Sequence, residues 1–313
     1  MLSRIADSLY WLNRYLERTE GVLRILRTNY VLSLDKGQYG VNAWKPVVKL
    51  FSTNQDPEAA DFEYNSIRSI NHILLNPDNN NSVRVILGKA RENAKGALDI
   101  ITKEVWEQIN HLFHSINNPV LVQRLAGNDT LAALDQLLDR ALLFSGVTDS
   151  TMPRNVGWNF MNLGKFIERC LITVGLSDLN FEAGEYNLSV NRDILFWRNL
   201  LFSLSGYELH LKTYRSSNYT MSVANQVIFN RQFTHSIIYC ADRIRYYLNK
   251  IIEDNHPDGA PQLLKQFGRL HSYIAYADMD VVRETGLKEF LAHIRYDLLQ
   301  MNKALGQQFF SYS

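Results

Sequence analysis

Two glutamate–arginine pairs are the residues of this chain whose types and spacing are best suited to chemistry. The phrase Tyr10-Trp-Leu-Asn-Arg-Tyr-Leu-Glu-Arg18 recurs as Met161-Asn-Leu-Gly-Lys-Phe-Ile-Glu-Arg169, so that Glu168 lies 151 positions after Glu17. A carboxylate can act as an acid or a base, and a guanidinium can bind an anion. A repeat at about half the chain length also indicates an internal duplication, which takes precedence over local signals when an architecture is predicted.

The first pair lies on a polar stripe of a predicted helix. At 100° per residue, Glu17 shares a face with Arg14 and Arg24, away from the leucines of the apolar face. Arg18 and Glu20 extend the charged segment. Taken alone, this pattern is typical of a solvated helix face with weakly stabilising charge pairs.

The second pair changes that interpretation. The stripe around Glu168 contains three glycines, at positions 157, 164 and 175. A glycine inside a helix costs about 1 kcal/mol relative to alanine, so their presence suggests that something packs closely against this face. We therefore expect Glu168 to be partly enclosed, and an enclosed carboxylate needs a partner.

Arginines from other helices are the natural partners. Arg91 and Arg245 are candidates because they lie within predicted helices and recur at an offset of 154 positions. Two alternatives stay open for this set of residues. It is either a structural Glu–Arg lock between repeats or the floor of a site for an anionic ligand.

Metal and cofactor chemistry have little support in the sequence. Glu17 and Glu20 are three residues apart, but the Glu-x-x-His element of dimetal bundles is missing. His111 and His114 have ligand-like spacing without an obvious carboxylate partner, and solvated histidines are expected. Phosphate-binding loops, dinucleotide fingerprints, serine-nucleophile elbows and zinc-protease motifs are also absent from the sequence. We expect no metal and no cofactor.

Bulk composition limits the function classes further. The 313 residues carry a formal net charge of +1, with 46% hydrophobic and 21% charged residues. This gives no reason to expect nucleic acid or a membrane surface as a partner, and no segment is apolar enough to span a bilayer. Cys170 and Cys240 lie in apolar helical patterns and are expected to be buried free thiols. With charges where a signal peptide needs an apolar run, the start of the chain favours a cytoplasmic location.

Helical periodicity runs through nearly the whole sequence, with no convincing strand or hairpin signal. The predicted helices include one long spine from Val83 to Ile116, which is capped by Ser82, and one from Thr130 to Phe144 that Gly146 ends. Others are expected at about 2–26, 58–75, 156–176, 189–214, 221–229, 234–253, 261–275 and 285–310. The predicted fold is an all-α helical bundle, a single domain over residues 1–313. It is built from two pseudo-symmetric repeats, about 1–150 and 151–313.

Several phrases together resemble the bacterial alpha-E domain family. The opening segment 3–20 resembles its N-terminal signature, and Ala90-Arg-Glu-Asn-Ala94 and Glu104-Val-Trp-Glu-Gln-Ile-Asn110 are similar to two internal phrases. Thr151-Met and Asn162–Arg169 resemble the second glutamate signature. Lys95 stands where the family commonly has arginine, and beyond residue 170 the similarity is mainly in layout. The matching motif residues are Arg14, Glu17, Arg18, Glu20, Arg91, Glu168 and Arg169.

The resemblance implies a context more than a mechanism. Family members tend to be encoded beside circularly permuted ATP-grasp ligases and transglutaminase-like proteins, which suggests a role in forming or modifying amide bonds. The leading hypothesis is a non-catalytic partner, or a subunit that presents a peptide or amino-acid substrate to such a ligase. The alternative is an enzyme that acts on a peptide or amide through Glu17, Glu20 or Glu168. A carboxylate–metal bundle is the weaker alternative.

Overall fold

The structure, a computed structural model, is all-α. It describes residues 2–34, 44–51, 62, 65–127, 129–215, 217–255 and 259–310. Within these ranges the chain forms fifteen helices and no strand. The predicted fold class is therefore confirmed.

The chain divides into two compact units. The first unit, Trp11–Pro153, holds most of α1 (Ser3–Leu34), α2 (Trp44–Phe51), α3 (Ser66–Leu75), α4 (Val83–Lys95), α5 (Lys103–Ile116), α6 (Pro119–Ala126) and α7 (Thr130–Thr151). The second unit, Met1–Tyr10 and Arg154–Ser313, holds the start of α1, α8 (Val156–Glu182), α9 (Ile194–Ser203), α10 (Tyr207–Thr213), α11 (Tyr219–Phe229), α12 (Ile237–Asn255), α13 (Ala260–Ala275), α14 (Met279–Thr285) and α15 (Leu287–Phe309). The boundary at Pro153 falls close to the predicted repeat boundary, whereas the single-domain prediction stays a prediction.

Each unit packs its helices in a chain of neighbours. In the first unit α3 packs on α4, α4 on α5 and α5 on α7. In the second unit α11 packs on α12, α12 on α13 and α13 on α15, while α8 lies along α12. Leucines at the predicted apolar spacing fill the buried side of α1, among them Leu9, Leu12, Leu16, Leu23 and Leu26. The buried residues of α1 and α8, the helices with the repeated phrase, show that much of each helix is enclosed.

Side-chain caps begin many of the helices. An Asn, Ser, Thr or Asp side chain accepts a backbone N–H in the first turn of α3, α4, α5, α6, α8, α9, α11 and α14. The predicted cap at Ser82 is among them, since its Oγ accepts the N–H of Val85 at 3.4 Å. Such caps satisfy backbone donors that the helix itself leaves without a partner.

The predicted long helix from Val83 to Ile116 is wrong. Helix α4 ends at Lys95, Gly96 follows as its C-cap, and α5 begins at Lys103 after the N-cap Thr102. The predicted apolar period ran through this break by way of Leu98 and Ile101, but Leu98 is 47% exposed, and Ala97 is buried in the turn together with Ile101. The spacing of apolar residues therefore could not reveal where the backbone leaves the helix.

Other predicted boundaries also need correction. Gly146 does not end a helix, because α7 continues through it to Thr151. The predicted helix 189–214 is two helices, which are separated by Ser205 in the left-handed region (φ 55°). The predicted helix 285–310 begins at Leu287, after Gly286 at φ 90°, and the short α14 precedes it. Of the predicted helix 58–75, α3 covers Ser66–Leu75, while residues 58–61, 63 and 64 lie outside the described residues.

One turn is built in the same way in both units. In the first unit, Asn76 Oδ1 accepts the N–H of Asp78, and Ser82 begins α4. At an offset of 154 positions, Asn230 Oδ1 accepts the N–H of Gln232, and Ser236 Oγ accepts the N–H of Tyr239 at the start of α12. These matched turns support the duplication hypothesis, which stays a prediction for the chain as a whole.

Candidate functional site

The charged stripe of α1 is buried. Glu17 and Glu20 are each 6% exposed, and Arg14 is 3% exposed. On α8, Glu168 is 3% exposed, and the three glycines of its stripe are buried with it. The enclosure that those glycines suggest is therefore found, and the solvated-face interpretation of α1 is wrong. Charges held in such surroundings must be paired or hydrogen-bonded.

Glu20 joins α1 to α7 within the first unit. Its Oε1 forms an ion pair with Nη2 of Arg24, one helical turn later on α1. Its Oε2 accepts a hydrogen bond of 3.4 Å from Oγ of Ser145 on α7. The carboxylate thus fixes the position of one helix against another, which is a structural use of a charged group.

Arg18 joins α1 to the turn that precedes α4. Its Nη1 donates to Oδ1 of Asn81 at 3.2 Å, and the N–H of Asn81 is in turn held by Asn79 Oδ1 at 2.9 Å. The arginine of the first Glu–Arg pair therefore stabilises the capping turn 76–82.

In the second unit, a threonine on α8, and not an arginine, contacts the equivalent position of the capping turn. Thr173, on α8, donates its hydroxyl to the carbonyl oxygen of His235 at 2.8 Å. His235 corresponds to Asn81 at the offset of 154. The arginine of the second Glu–Arg pair, Arg169, lies over the ring of Phe166, with 5.4 Å from its Cζ to the ring centroid.

Arg91 lies at the meeting point of two of the motif phrases. Its Nε donates to Oδ1 of Asn110 at 2.8 Å, and the Asn110 amide donates to the carbonyl oxygen of Trp106 at 2.9 Å. The guanidinium Cζ lies 5.4 Å from the ring of Trp106 and 5.0 Å from that of Phe113. Arg91 is therefore oriented by α5. The expectation that it pairs with a repeated glutamate is wrong, because helical periodicity gives no information on which helix lies alongside.

Arg245 is also not an enclosed partner for a glutamate. Its side chain is 55% exposed, and its Nη2 lies 3.8 Å from Oδ1 of Asp242, three residues earlier on α12. Asp242 also forms an ion pair with Arg231 and a 2.7 Å contact with Nε2 of His271. Arg245 belongs to a surface charge network, so this expectation is wrong as well.

Sequence reasoning missed a cluster around Arg243. Its Nη2 donates to the hydroxyl of Tyr247 at 2.6 Å, and its Cζ lies 5.5 Å from the ring of Phe166. Burial raises the pKa of Tyr247, while the charge of Arg243 opposes that shift. The consecutive tyrosines 246 and 247 were visible in the sequence, but nothing there joined them to Phe166 of the repeated phrase.

A buried histidine network was missed too. His210 is fully buried, and its Nδ1 lies 2.8 Å from Oε1 of Gln226, whose amide donates to the carbonyl oxygen of Gly206 at 2.8 Å. Ser222 Oγ lies 3.4 Å from the other ring nitrogen but hydrogen-bonds to the Asn218 carbonyl oxygen at 2.9 Å. Burial lowers the pKa of His210, and the hydrogen bond to Gln226 opposes the shift. The arrangement resembles a nucleophile–base pair in spacing, but it lies within the packed interior.

The two cysteines are buried free thiols, as predicted. A hydrogen bond with the Cys240 thiol, followed in importance by burial, raises the pKa of Cys170 well above its ordinary value. Because the thiolate is the reactive form, this environment makes Cys170 a poor nucleophile.

Among the residues that the structure describes, no three His, Cys, Asp or Glu side chains lie close enough to share a metal ion. No helix in the described part of the chain has the length and apolar character needed to cross a membrane.

A cleft of about 550 Å³ lies between α13 and α15 in the second unit. Primary amides and two cations dominate its lining, and no carboxylate is among the lining residues. They are Gly259, Gln262, Leu263, Lys265, Gln266, Arg269, Ala304, Gln307 and Gln308. Amide groups both donate and accept hydrogen bonds, so this lining suits a polar or anionic ligand.

The fold and these contacts define a class: an all-α protein with a Glu–Arg pair on each of two helices, in which the glutamate is buried and the arginine half-buried. The chain belongs to the Alpha-E family, described as a predicted alpha-helical domain with a conserved ER motif, which matches residues 1–310. An uncharacterized protein of Mycobacterium bovis and two of Mycobacterium tuberculosis are each 23% identical to it over 271 residues. These matches cover 77% of the chain but 29% of each relative, so the chain spans less than a third of their length. No solved structure matches the chain.

Proposed function

We propose that this chain is a non-catalytic partner, or a substrate-presenting subunit, of an ATP-grasp ligase that forms amide or peptide bonds. The observation that carries the proposal is the burial of the motif glutamates Glu17, Glu20 and Glu168. Glu20 and Arg18 are engaged with Ser145 and Asn81 of their own unit, so these motif side chains hold helices together. A group that reacts with a substrate has to be reachable by that substrate.

The identity of the partner comes from the family resemblance. An ATP-grasp ligase supplies the phosphoryl chemistry that activates a carboxylate, so its partner needs only to bind or position a substrate. The amide-rich cleft between α13 and α15 suits a peptide or amino-acid substrate. The bacterial cytoplasm is the location that this proposal requires, because ATP is available there.

Reconstitution with an ATP-grasp ligase of the kind that tends to be encoded beside family members is the direct test. The ligase alone, this chain alone and their mixture are assayed for ADP release and amide product, and the mixture is analysed by size-exclusion chromatography. We expect co-elution and a higher yield of amide product in the mixture. Full ligase activity without this chain, together with separate elution, contradicts the proposal.

An enzyme acting on a peptide or amide is the second candidate. One of Glu17, Glu20 and Glu168, each at most 6% exposed, would act as the acid or base once a conformational change lets a substrate reach it. Amide hydrolysis or transfer by the isolated chain, lost in Glu20→Gln with the fold intact, supports this candidate. If the isolated chain shows no amide hydrolysis or transfer with any peptide of a test panel, the enzyme candidate fails and the partner role is the remaining proposal. For the carboxylate–metal alternative, elemental analysis of the purified protein is the test.

A further inference from the structure

Two arginines on α4 point along the same side of the helix. Arg84 and Arg91 are seven residues apart, which is within about 20° of two full turns and about 10.5 Å along the axis. Gly88 lies between them, and a methyl group there would meet no neighbouring side chain within 4 Å. There is therefore room around Gly88, on the stretch of α4 between the two arginines.

Arg91 is held in place while part of it stays available. Its Nε donates a hydrogen bond to Oδ1 of Asn110, and the rings of Trp106 and Phe113 lie against the guanidinium. Its side chain is 26% exposed, and its Nη1 is 3.8 Å from a carboxylate oxygen of Glu92, whose side chain is 67% exposed. A contact of that length to an exposed group competes weakly with a ligand.

Arg84, unlike Arg91, has a shielded guanidinium nitrogen without a hydrogen-bond acceptor. It is half-buried, and its Nε is shielded from solvent without a hydrogen-bond acceptor. Arg84 forms no ion pair or hydrogen bond with the residues that the structure describes. A shielded cationic donor without an acceptor is costly, and a bound anion that draws the Arg84 side chain outward would supply the missing acceptor.

We propose that Arg84 and Arg91 form a binding site for a small ligand with two oxyanion groups, of the dicarboxylate or pyrophosphate class. Each guanidinium takes one anionic group in a forked pair of hydrogen bonds, and the ligand spans the open space at Gly88. Lys95, one turn beyond Arg91, lies on the same side of α4, with its Nζ 3.7 Å from a carboxylate oxygen of Glu92. This site goes beyond the ligase partnership and does not depend on it.

Calorimetric titration of the full chain with glutarate, pyrophosphate and acetate is the test. We expect saturable binding of at least one dianion and at least tenfold weaker binding of acetate. The tighter dianion identifies the source of the ligand. If neither dianion binds saturably, or if acetate binds as tightly as both, the proposal is overturned.

Variants locate the site on α4. Arg84→Gln should weaken binding of the dianion at least tenfold, while the protein stays folded, because Arg84 supports no described partner. Lys89→Gln is the matched control: it removes one charge from the opposite side of the same helix, where Lys89 Nζ meets only the Asn80 carbonyl oxygen at 3.3 Å. Equal losses in both variants would indicate a general charge effect and overturn the proposal.

A third variant tests the forked geometry. Arg91→Lys keeps the charge but loses the planar fork and the hydrogen bond to Asn110, and binding should weaken at least fivefold. Unchanged affinity in this variant also overturns the proposal. All titrations use the isolated chain, so a failure of the ligase experiment has no bearing on this result.

Discussion

At the scale of single residues, the buried carboxylates are the feature that most needs a physical account. We expect Glu168→Gln to lower the free energy of unfolding by about 1–3 kcal/mol, because the amide keeps the shape but cannot replace a carboxylate at a 3% exposed position. Glu17→Gln should have a similar effect, since that side chain is equally enclosed. Denaturant unfolding followed by circular dichroism measures both changes.

A surface glutamate provides the control for these variants. Glu253 is 62% exposed and meets Lys250 at 2.9 Å, so Glu253→Gln should change stability by less than about 0.5 kcal/mol. If Glu17→Gln and Glu168→Gln unfold like the wild type, neither glutamate is a buried structural lock. The repeated phrase would then need a functional explanation.

His210 makes stability depend on pH. Because burial lowers its pKa in the folded protein below the ordinary value of 6.5, the unfolded chain binds the proton more readily. The contribution of neutral His210 is therefore complete above about pH 6.5 and is lost as the pH falls through that value towards the lowered folded pKa. Unfolding free energies measured between pH 7.5 and 5 should show this loss.

The variant His210→Gln separates this residue from other titrating groups. It should be less stable than the wild type at pH 7.5, and the difference between the two should shrink as the pH falls. His114→Gln, at an exposed position on α5, should leave the pH profile unchanged. Parallel profiles for wild type and His210→Gln would show that His210 is not the titrating group.

At the scale of elements, the two matched capping turns allow a paired experiment. Ser82→Ala should destabilise the protein by about 1 kcal/mol, because the N–H of Val85 loses its acceptor. Ser236→Ala should cost more, since the hydroxyl of Ser236 also donates to the carbonyl oxygen of Asn230 at 2.7 Å. Thermal unfolding of both variants measures the order. An effect of Ser82→Ala larger than that of Ser236→Ala would contradict this account.

Two glycines should respond to alanine in opposite directions. At Gly206 a methyl group would lie 2.7 Å from Nε2 of Gln226 and 2.8 Å from Cζ of Phe233, so Gly206→Ala should destabilise the protein by about 1–3 kcal/mol. At Gly268, inside α13, a methyl group meets nothing within 4 Å, so Gly268→Ala should stabilise it by up to about 1 kcal/mol. Denaturant midpoints of the two variants should lie on opposite sides of the wild-type value.

The positions of helix ends show how far the sequence specifies the fold. Ser82 and the apolar period after it correctly predicted the start of α4, because a cap and a core face are both local signals. The break at Gly96 was missed, since Leu98 and buried Ile101 continue the period through a non-helical turn. Gly146 was misread in the other direction, because a glycine within a long helix is tolerated when the rest of the helix is well packed.

The sequence predicted that Glu168 of the candidate site is enclosed, but it did not predict which residues contact the arginines of the site. Glycines around Glu168 indicated an enclosed carboxylate, because their cost must be offset by close packing. The neighbours of Arg91 on α5 could not be inferred, since the period of one helix does not identify the helix alongside it. The contact between Arg243 and Phe166 was hidden for the same reason, as the two residues are far apart in sequence.

At the scale of the whole molecule, the second unit joins the two ends of the described chain. The hydroxyl of Tyr10 donates to Oδ1 of Asn302 at 2.5 Å, and its ring centroid lies 5.1 Å from that of Phe310. Tyr10→Ala should therefore loosen the end of α15. Hydrogen exchange should become faster at residues near 302 and stay unchanged in α5 of the first unit. Hydrogen exchange near residue 302 that is equally slow in Tyr10→Ala and the wild type would show that Tyr10 does not anchor this helix.

This joining of distant segments has a consequence for synthesis on the ribosome. Residues 11–153 are complete before the long segment that Tyr10 needs has been translated. At about 5–20 residues per second, roughly 15–60 s separate the emergence of Tyr10 from that of Asn302. During that interval Tyr10, fully buried in the finished protein, lacks its contacts with Asn302 and Phe310. The nascent chain therefore carries a transient binding site for chaperones around Tyr10, and this site disappears only when α15 has been made.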